Sequence, residues 1–185
     1  MSKIPGLVLD EDEFGFEGEI ELYTWKGFQS RNGAYGAQDS EKPSNGIFSI
    51  RTGGDMVDDE PKIEDYHVEA FNYLIENQAE IKESILNALF AEYPNLQELY
   101  GYDPEEKEEY MPEVFKIEDF KNLIGIANIH LMNVEKNGVG YVGFEFGCSW
   151  DYEHGLGIMT HKNRIIKIGG GDSAFLTWVA KEDLT

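Results

Sequence analysis

The sequence predicts an α+β fold in which a mainly antiparallel sheet of about six strands has one long helix packed on one face. An apolar face that recurs with helical periodicity between Asp65 and Tyr93 predicts the helix. Two strand-like runs before this helix and four after it predict the sheet. Tight turns join the four later runs, which is typical of an antiparallel meander.

Length and composition favour a single domain over residues 1–185, because domains commonly contain about 100 to 200 residues. Of the 185 residues, 41% are hydrophobic, which is enough to form a core. Within this domain we expect an acidic strand, loop and helical part over residues 1–122. A meander sheet should follow over residues 123–170, and a short terminal helix over residues 171–185.

Charge is distributed unevenly along the chain. There are 36 acidic residues and 15 Lys and Arg residues, so the formal net charge is −21. Residues 1–65 carry 15 acids and 6 bases, residues 66–122 carry 14 and 4, and residues 123–185 carry 7 and 5. Such a chain repels nucleic acid and anionic membranes, so we expect neither as a partner, and it attracts basic proteins. In the alternative interpretation the acids serve solubility alone.

Several features favour a cytoplasmic protein without a cofactor. No apolar run approaches the roughly 18 to 20 residues of a membrane-spanning helix, and the N-terminus MSKIPGLVLDEDEF lacks the pattern of a signal peptide. The single cysteine, Cys148, excludes an internal disulfide and a multi-cysteine zinc site. The run GVGYVG matches a dinucleotide-binding pattern by letter, but it lies on a predicted hairpin turn instead of between a strand and a helix.

The N-terminal strands are predicted by alternation of apolar residues with acids over residues 17–23 and by the run Ile47–Ile50. A connector rich in acids and glycine should follow over Thr52–Lys62.

The residues between these two strands predict a loop with aromatic side chains. Glycine, serine and asparagine are frequent from Ser30 to Gly46, which favours a loop there. Trp25, Phe28 and Tyr35 either line a binding surface or hold this loop against the core. We keep Trp25 and Phe28 as candidate partner-binding residues.

The predicted helix from Asp65 to Tyr93 has two distinct faces, and we expect Pro94 to end it. The core face contains Phe71, Leu74, Gln78, Ile81, Ile85, Ala88 and Leu89. The opposite face contains Glu69, Glu76, Glu80 and Glu83. These glutamates form either an ordinary solvated face or a docking surface for a basic protein.

A second acidic cluster follows the helix. After a predicted turn at Asp103-Pro104, it comprises Glu105, Glu106, Glu108 and Glu109. The cluster lacks the spaced ligands and central glycine of an EF-hand loop, so we expect no metal there. It is a further candidate surface for a basic partner. A short helix is expected over Ile117–Leu123.

The four C-terminal strands are predicted over Ile126–Val134, Val139–Cys148, Gly155–His161 and Arg164–Gly169. The final SAFLTWVAKEDL predicts a short helix, capped by Asp172 or Ser173.

Asn137-Gly138 favours a type I′ hairpin turn between the first two of these strands, and that turn predicts a register. Paired residue numbers should sum to 275, which places His130 opposite Glu145 on the face away from the core. A His–Glu pair is suited to proton transfer, although it is also a common structural contact. Glycines near Glu145 would leave room for a ligand or for a neighbouring backbone.

The connector after Cys148 carries the other candidate catalytic residues. Asp151, Glu153 and His154 lie within four residues, His161 ends the following strand, and these side-chain types bind zinc or manganese. A nucleophilic site that combines Cys148 with His154 and Asp151 is also conceivable. The register nevertheless places Cys148 on the core face, where cysteine is usually inert.

The stretch GFEFGCSWDYEHGLG, within the longer run from Gly138 to Asp172, resembles the C-terminal signature of a family of uncharacterised bacterial cytosolic proteins. This family is of the domain-of-unknown-function type. FEGEIELYTWKGFQSRNGAYG and LYGYDPEEKEEYMPEV resemble its earlier blocks, so the resemblance spans most of the chain. It implies no particular activity, cofactor or catalytic residue. Acidic proteins of this kind also resemble the immunity proteins that neutralise bacterial toxins.

Two functions remain open at this point. The first is a non-enzymatic binding protein, such as an immunity-type inhibitor of a basic toxin, which uses the glutamates and the aromatic loop. The second is a small metal-using or hydrolase-like enzyme centred on the WDYEH connector, with His130 and Glu145 as further candidates. The sequence does not determine the oligomeric state.

Overall fold

The computed structural model describes residues 3–12, 14–32, 38–55 and 60–185. Its strands are β1 (Val8–Leu9), β2 (Phe16–Glu21), β3 (Gln29–Asn32), β4 (Gln38–Pro43), β5 (Ile47–Thr52), β6 (Ile124–Lys136), β7 (Val139–Cys148), β8 (Asp151–His161) and β9 (Arg164–Gly169). Its helices are α1 (Asp65–Glu76), α2 (Gln78–Tyr100), α3 (Pro104–Tyr110) and α4 (Thr177–Glu182). Short 3₁₀ helices cover Tyr23–Trp25, Ile117–Asn122 and Gly171–Ala174.

The main sheet confirms the predicted α+β class. Its seven strands lie in the order β1-β2-β5-β6-β7-β8-β9, and β6 to β9 form the predicted meander. Neighbouring strands are antiparallel except for β5 and β6, which run parallel. A parallel pair needs a long crossover connection, and α1 to α3 lie in this one.

The predicted loop from Ser30 to Gly46 is wrong in part, because β3 and β4 pair there as a separate two-stranded sheet. Strand β3 packs against Gly125 in β6, where an added Cβ would lie 2.1 Å from the carbonyl oxygen of Gln29. The hairpin is thus positioned by the main sheet and not by an apolar pattern of its own. Residues 33–37, including Tyr35, lie outside the described part of the chain, as do residues 56–59 of the predicted connector.

The predicted long helix is interrupted at Asn77 and continues beyond Pro94. The prediction of an unbroken helix from Asp65 to Tyr93 and the prediction that Pro94 ends it are therefore both wrong. Asn77 has φ −118° and ψ 23°, outside the helical region. Its break is stabilised by Gln78, whose side-chain oxygen accepts hydrogen bonds from the backbone N–H and the hydroxyl of Thr24.

Packing on both sides carries the helix past Pro94. Tyr93 is buried, and Leu96 and Tyr100 pack against the core. These packing contacts offset the free-energy cost of the backbone hydrogen bond that Pro94 cannot donate. The helix ends at Gly101, whose φ of 61° is the left-handed conformation that favours glycine.

The predicted turn at Asp103-Pro104 is the start of α3. A side-chain oxygen of Asp103 accepts hydrogen bonds from the N–H groups of Glu105 and Glu106, and proline occupies the first helical position.

The core lies between the main sheet and the α1–α2 helices. The predicted core face of the helix is confirmed, because Leu74, Gln78, Ile81, Ile85 and Leu89 are buried and Phe71 and Ala88 are half-buried. The sheet contributes mainly Ile50, Ile129, Leu131, Phe144 and Phe146.

The opposite face of the meander is covered by the C-terminal segment. A second apolar cluster there contains Met132, Val134, Tyr141, Met159, Val179 and Ala180. Asp55 accepts hydrogen bonds from the N–H and the hydroxyl of Thr177 at the start of α4. The predicted caps Asp172 and Ser173 instead lie in the preceding 3₁₀ turn.

The hairpin register holds near the turn and shifts further along. Asn137 and Gly138 have φ of 54° and 78°, as a type I′ turn requires, and Glu135 pairs with Gly140 as predicted. An irregularity between Leu131 and Glu135 then places His130 opposite Gly143, so the predicted pairing with Glu145 is wrong. From Leu131 to Asn128 the shift is two residues, so these side chains keep their predicted face. A second irregularity between Asn128 and Ile126 shifts the register by one more residue, so the predicted pairing of Ala127 with Cys148 is also wrong.

Candidate functional site

The eight glutamates proposed as a partner-binding surface are all exposed. Glu69 and Glu76 lie on α1, Glu80 and Glu83 lie on α2, and Glu105, Glu106, Glu108 and Glu109 lie on α3. Within the described residues, none of them forms a salt bridge. We call these eight residues the acidic helical surface. Its carboxylates are uncompensated and create a negative potential toward solvent.

The two lysines of this helical part do not neutralise the surface. Residues 65–110 contain 12 acids and only Lys82 and Lys107 as bases. Lys82 extends across the helix to the carbonyl of Thr24, at 2.6 Å from Nζ to O, and Lys107 pairs with Glu113. Both ammonium groups are therefore engaged elsewhere.

The aromatic residues Trp25 and Phe28 are buried, with 1% and 5% of their surfaces exposed. Their rings meet edge to face at 4.8 Å, and Trp25 also contacts Phe146 of the core at 5.4 Å. They therefore hold the segment after β2 against the sheet. Of the two, Phe28 also lines a surface groove beside α2.

His130 and Glu145 contact each other although they are not paired in register. Nε2 of His130 lies 2.9 Å from Oε2 of Glu145, which also accepts a hydrogen bond from Asn128. Both side chains are buried, at 6% and 7% exposure. Nδ1 of His130 has no hydrogen-bond partner in the described part of the structure.

The space beside this pair is filled by the protein's own backbone. A Cβ at Gly143 would lie 1.5 Å from the carbonyl oxygen of Ala174, and one at Gly157 would lie 2.4 Å from that of Gly170. These glycines thus allow the C-terminal segment to approach the sheet. The His130–Glu145 contact joins β6 to β7 beneath that segment.

The predicted connector after Cys148 is wrong in part, because Asp151 to His154 already belong to β8 and only Ser149 and Trp150 form the turn. We keep the name connector for residues 150–154, and Asp151 organises it. Its Oδ1 accepts a hydrogen bond from the backbone N–H of His154 and lies 3.1 Å from Nδ1 of the same residue. Its Oδ2 accepts a hydrogen bond from the hydroxyl of Tyr100 at 2.8 Å. Burial, together with this contact to Asp151, raises the pKa of Tyr100, so its hydroxyl remains a donor at neutral pH.

Glu153, His154 and Cys148 do not converge with one another around Asp151. The side chain of His154 is 72% exposed, which leaves Nε2 open to solvent, and Glu153 is also exposed. Cys148 is buried, and burial raises the pKa of its thiol to about 12. A thiol with such a pKa is a poor nucleophile at neutral pH.

The possible metal ligands are dispersed. Across the described ranges, no three His, Cys, Asp or Glu side chains converge as a metal site would require. His161, a further candidate ligand, directs Nε2 toward the carbonyl oxygens of Lys136 and Val139. When Nε2 of His161 donates to these carbonyl oxygens, the side chain holds the β6–β7 hairpin and this nitrogen is not available as a metal ligand.

Sequence reasoning missed two features of the surface. One is Tyr100, the partner of Asp151; its signal was the aromatic series Tyr93, Tyr100 and Tyr102 beyond the predicted end of the helix. The other is a groove lined by Lys26, Lys82 and Lys121. Its signal was a lone lysine at position 82 among the helical glutamates.

Comparison with known proteins gives a family and nothing further. Among the described residues, no helix is both long and apolar enough to cross a membrane. No curated protein and no solved structure matches the chain. The profile of the family described as "Domain of unknown function (DUF6985)" matches residues 16–176. The resemblance to a domain-of-unknown-function family is thereby confirmed, and the chain belongs to the DUF6985 family.

Proposed function

We propose that the protein is a non-enzymatic binding protein whose acidic helical surface docks a basic protein, in the manner of an immunity protein that neutralises a toxin. The observation that carries this proposal is the set of eight exposed glutamates without a cationic partner among the described residues. Clustered charge of one sign steers an oppositely charged partner and accelerates association.

The placement of the charges favours docking over solubility alone. Solubility requires acids anywhere on the surface, whereas residues 65–110 combine 12 acids with only two lysines, both of which are engaged elsewhere. The acids Glu145, Asp151 and Asp183 of the sheet half all have hydrogen-bond partners within the fold. The helical glutamates therefore remain available to a partner.

Affinity capture of the tagged full-length protein from its native extract, at low and at moderate salt, tests this proposal. We expect a stoichiometric basic protein whose capture weakens as salt rises. The triple variant Glu76→Lys, Glu80→Lys and Glu83→Lys should slow association with that protein at least about tenfold at low salt.

The matched control is the triple variant Glu11→Lys, Glu153→Lys and Glu182→Lys. It changes the net charge equally at exposed positions outside the acidic helical surface. Equal association rates for the two triple variants would show that only net charge matters and would remove this surface from the proposal. Failure to capture any basic protein would also contradict it.

A second candidate function rests on the Asp151–His154 contact. A carboxylate at Nδ1 orients an imidazole and leaves Nε2 as a base, an arrangement used in hydrolases, and an exposed imidazole can also bind a metal. We propose this connector as the site of any hydrolytic or metal-dependent activity. A screen with ester and phosphoester substrates, with and without Zn²⁺ or Mn²⁺, tests it.

The variant series separates this site from background activity. His154→Gln and Asp151→Asn should each abolish an activity that belongs to the connector, whereas Lys181→Gln, at an exposed position of α4, should retain it. Activity that survives His154→Gln would exclude the connector.

A further inference from the structure

A groove with lysine side chains lies next to the acidic helical surface. It has a volume of about 680 Å³ and lies between the segment Thr24–Phe28, the first half of α2 and the 3₁₀ helix at Ile117–Asn122. Pockets that hold small organic ligands commonly range from about 300 to 1,000 Å³. The groove is therefore large enough for such a ligand.

The apolar part of the groove is formed by Phe28, Leu86 and Ile117. Phe28 and Leu86 are almost fully buried and form the fixed floor of the groove, while the half-buried Ile117 offers more apolar surface to a ligand. Phe28 is held by its edge-to-face contact with Trp25. A ligand in the groove can place an apolar body on a surface that already exists.

The polar part of the groove is centred on Lys82. Its ammonium lies 4.5 Å from the centre of the Phe28 ring and donates one hydrogen bond to the carbonyl of Thr24. Lys82 forms no ion pair within the described residues, and two N–H bonds of the ammonium remain. Burial lowers the pKa of Lys82, which shows that its charge is incompletely solvated. An anion would compensate that loss of solvation.

The rim of the groove indicates how many negative charges the ligand carries. Lys26 is paired with Glu21, so Lys121 is the second cation of the groove without an ion-pair partner in the described residues, and Glu83 and Glu118 add two anions. These two carboxylates would repel a polyanion such as a nucleotide, whereas a single negative charge directed at Lys82 gains its attraction with the least repulsion.

We propose that this groove binds a small amphipathic monocarboxylate, with its carboxylate on Lys82 and its apolar body against Ile117 and the floor formed by Phe28 and Leu86. This binding site is independent of the partner docking proposed above, because it uses the lysines and not the eight glutamates as the attractive groups. Only Glu83 belongs to both regions.

Calorimetric titration of the full-length protein with octanoate, and with octanamide as its uncharged counterpart, tests the proposal. We expect octanoate to bind at least about tenfold more tightly than octanamide, since only octanoate offers a charge to Lys82. The variant Lys82→Met, which keeps the apolar stem, should weaken octanoate binding by at least about tenfold. Lys107→Met, outside the groove, is the matched control and should bind octanoate like the wild type.

A second variant is expected to bind octanoate more tightly, and a gain of affinity cannot result from a failure to fold. Glu118→Gln removes a repulsive carboxylate and should tighten octanoate binding several-fold at low salt. The proposal is overturned if octanoate does not bind at millimolar concentration, if octanamide binds equally well, or if neither Lys82→Met nor Glu118→Gln changes the affinity. Loss of partner capture by the double variant Glu76→Lys and Glu80→Lys, with octanoate binding intact, would separate the two sites, because neither residue lines the groove.

Discussion

The helical layer of α1 to α3 leaves most of its charges unpaired, whereas the C-terminal sheet half pairs its buried and half-buried acids Glu145, Asp151 and Asp183 within the fold. In the sheet half, Asp183 accepts hydrogen bonds from Lys136, Arg164 and the hydroxyl of Tyr141. The eight glutamates of the acidic helical surface have no such partner among the described residues. In the sheet half, the charged side chain of Asp183 connects elements of the fold. On the acidic helical surface, the charged side chains are exposed to solvent.

This difference follows from where each group lies. Asp183 has only 16% of its side chain exposed, so its contacts replace water and hold α4 to β6, β7 and β9. The helical glutamates keep their hydration and contribute little to stability. Substitutions in the sheet half should therefore affect folding, while those on the helices should affect binding.

The largest effect is expected at Gly143. Alanine there would place a Cβ at 1.5 Å from the carbonyl oxygen of Ala174 and displace the C-terminal segment. We expect Gly143→Ala to lower the free energy of unfolding by about 3 kcal/mol, measured by urea denaturation. Gly170→Ala is the control, because its Cβ meets an ordinary 3.4 Å contact. Similar losses in both variants would show that the close approach is not what matters.

The next effect is expected at Asp183. Asp183→Asn should lower the free energy of unfolding at pH 7 by about 2 to 3 kcal/mol, because its partners lose charge-assisted hydrogen bonds.

Acid should reduce the same contribution in the wild type. The hydrogen bond from Arg164 is the largest of the contacts that hold the pKa of Asp183 well below its ordinary 3.8. The folded chain thus binds fewer protons than the unfolded chain, and stability is lost as the pH falls below about 4 toward the folded pKa. Denaturation curves from pH 6 to pH 2 should therefore bring wild type and Asp183→Asn together. A constant difference between them would contradict this assignment.

The smallest effect is expected on the helices. The triple variant Glu76→Gln, Glu80→Gln and Glu83→Gln removes neighbouring like charges and no salt bridge. We expect the free energy of unfolding to rise by a few tenths of a kcal/mol, about 0.3, at low salt. A loss of more than about 1 kcal/mol in urea denaturation would mean that these glutamates have a structural role and would remove the contrast between the two regions.

Local patterns predicted the parts of the fold that depend on neighbouring residues. The helical periodicity from Phe71 to Leu89 identified the buried face, and Asn137-Gly138 identified the hairpin turn. The same patterns could not locate the break at Asn77, because it is stabilised by the contact between Gln78 and Thr24, which are 54 residues apart. Likewise, packing of Tyr93, Leu96 and Tyr100 carries the helix beyond Pro94, and no local rule contains those contacts.

The candidate sites divide in the same way. The sequence identified the glutamates that the structure leaves exposed, since a polar helix face opposite an apolar one must point to solvent. It brought His130 near Glu145 through a register that was wrong by two residues, and the contact survived because such a shift preserves the face. It did not find Tyr100 beside Asp151 or the groove at Lys82, both of which join residues that are distant in sequence.

The sequence by itself determined the fold class, the meander, the buried helix face and the acidity of the helical layer. These properties depend on residue spacing and composition, which are local. Only the tertiary structure decided that β5 and β6 run parallel, that the C-terminal segment covers Gly143 and Gly157, and that the His130–Glu145 contact is buried. Each of these depends on which distant surfaces pack together, and that choice is made by the free energy of the whole chain.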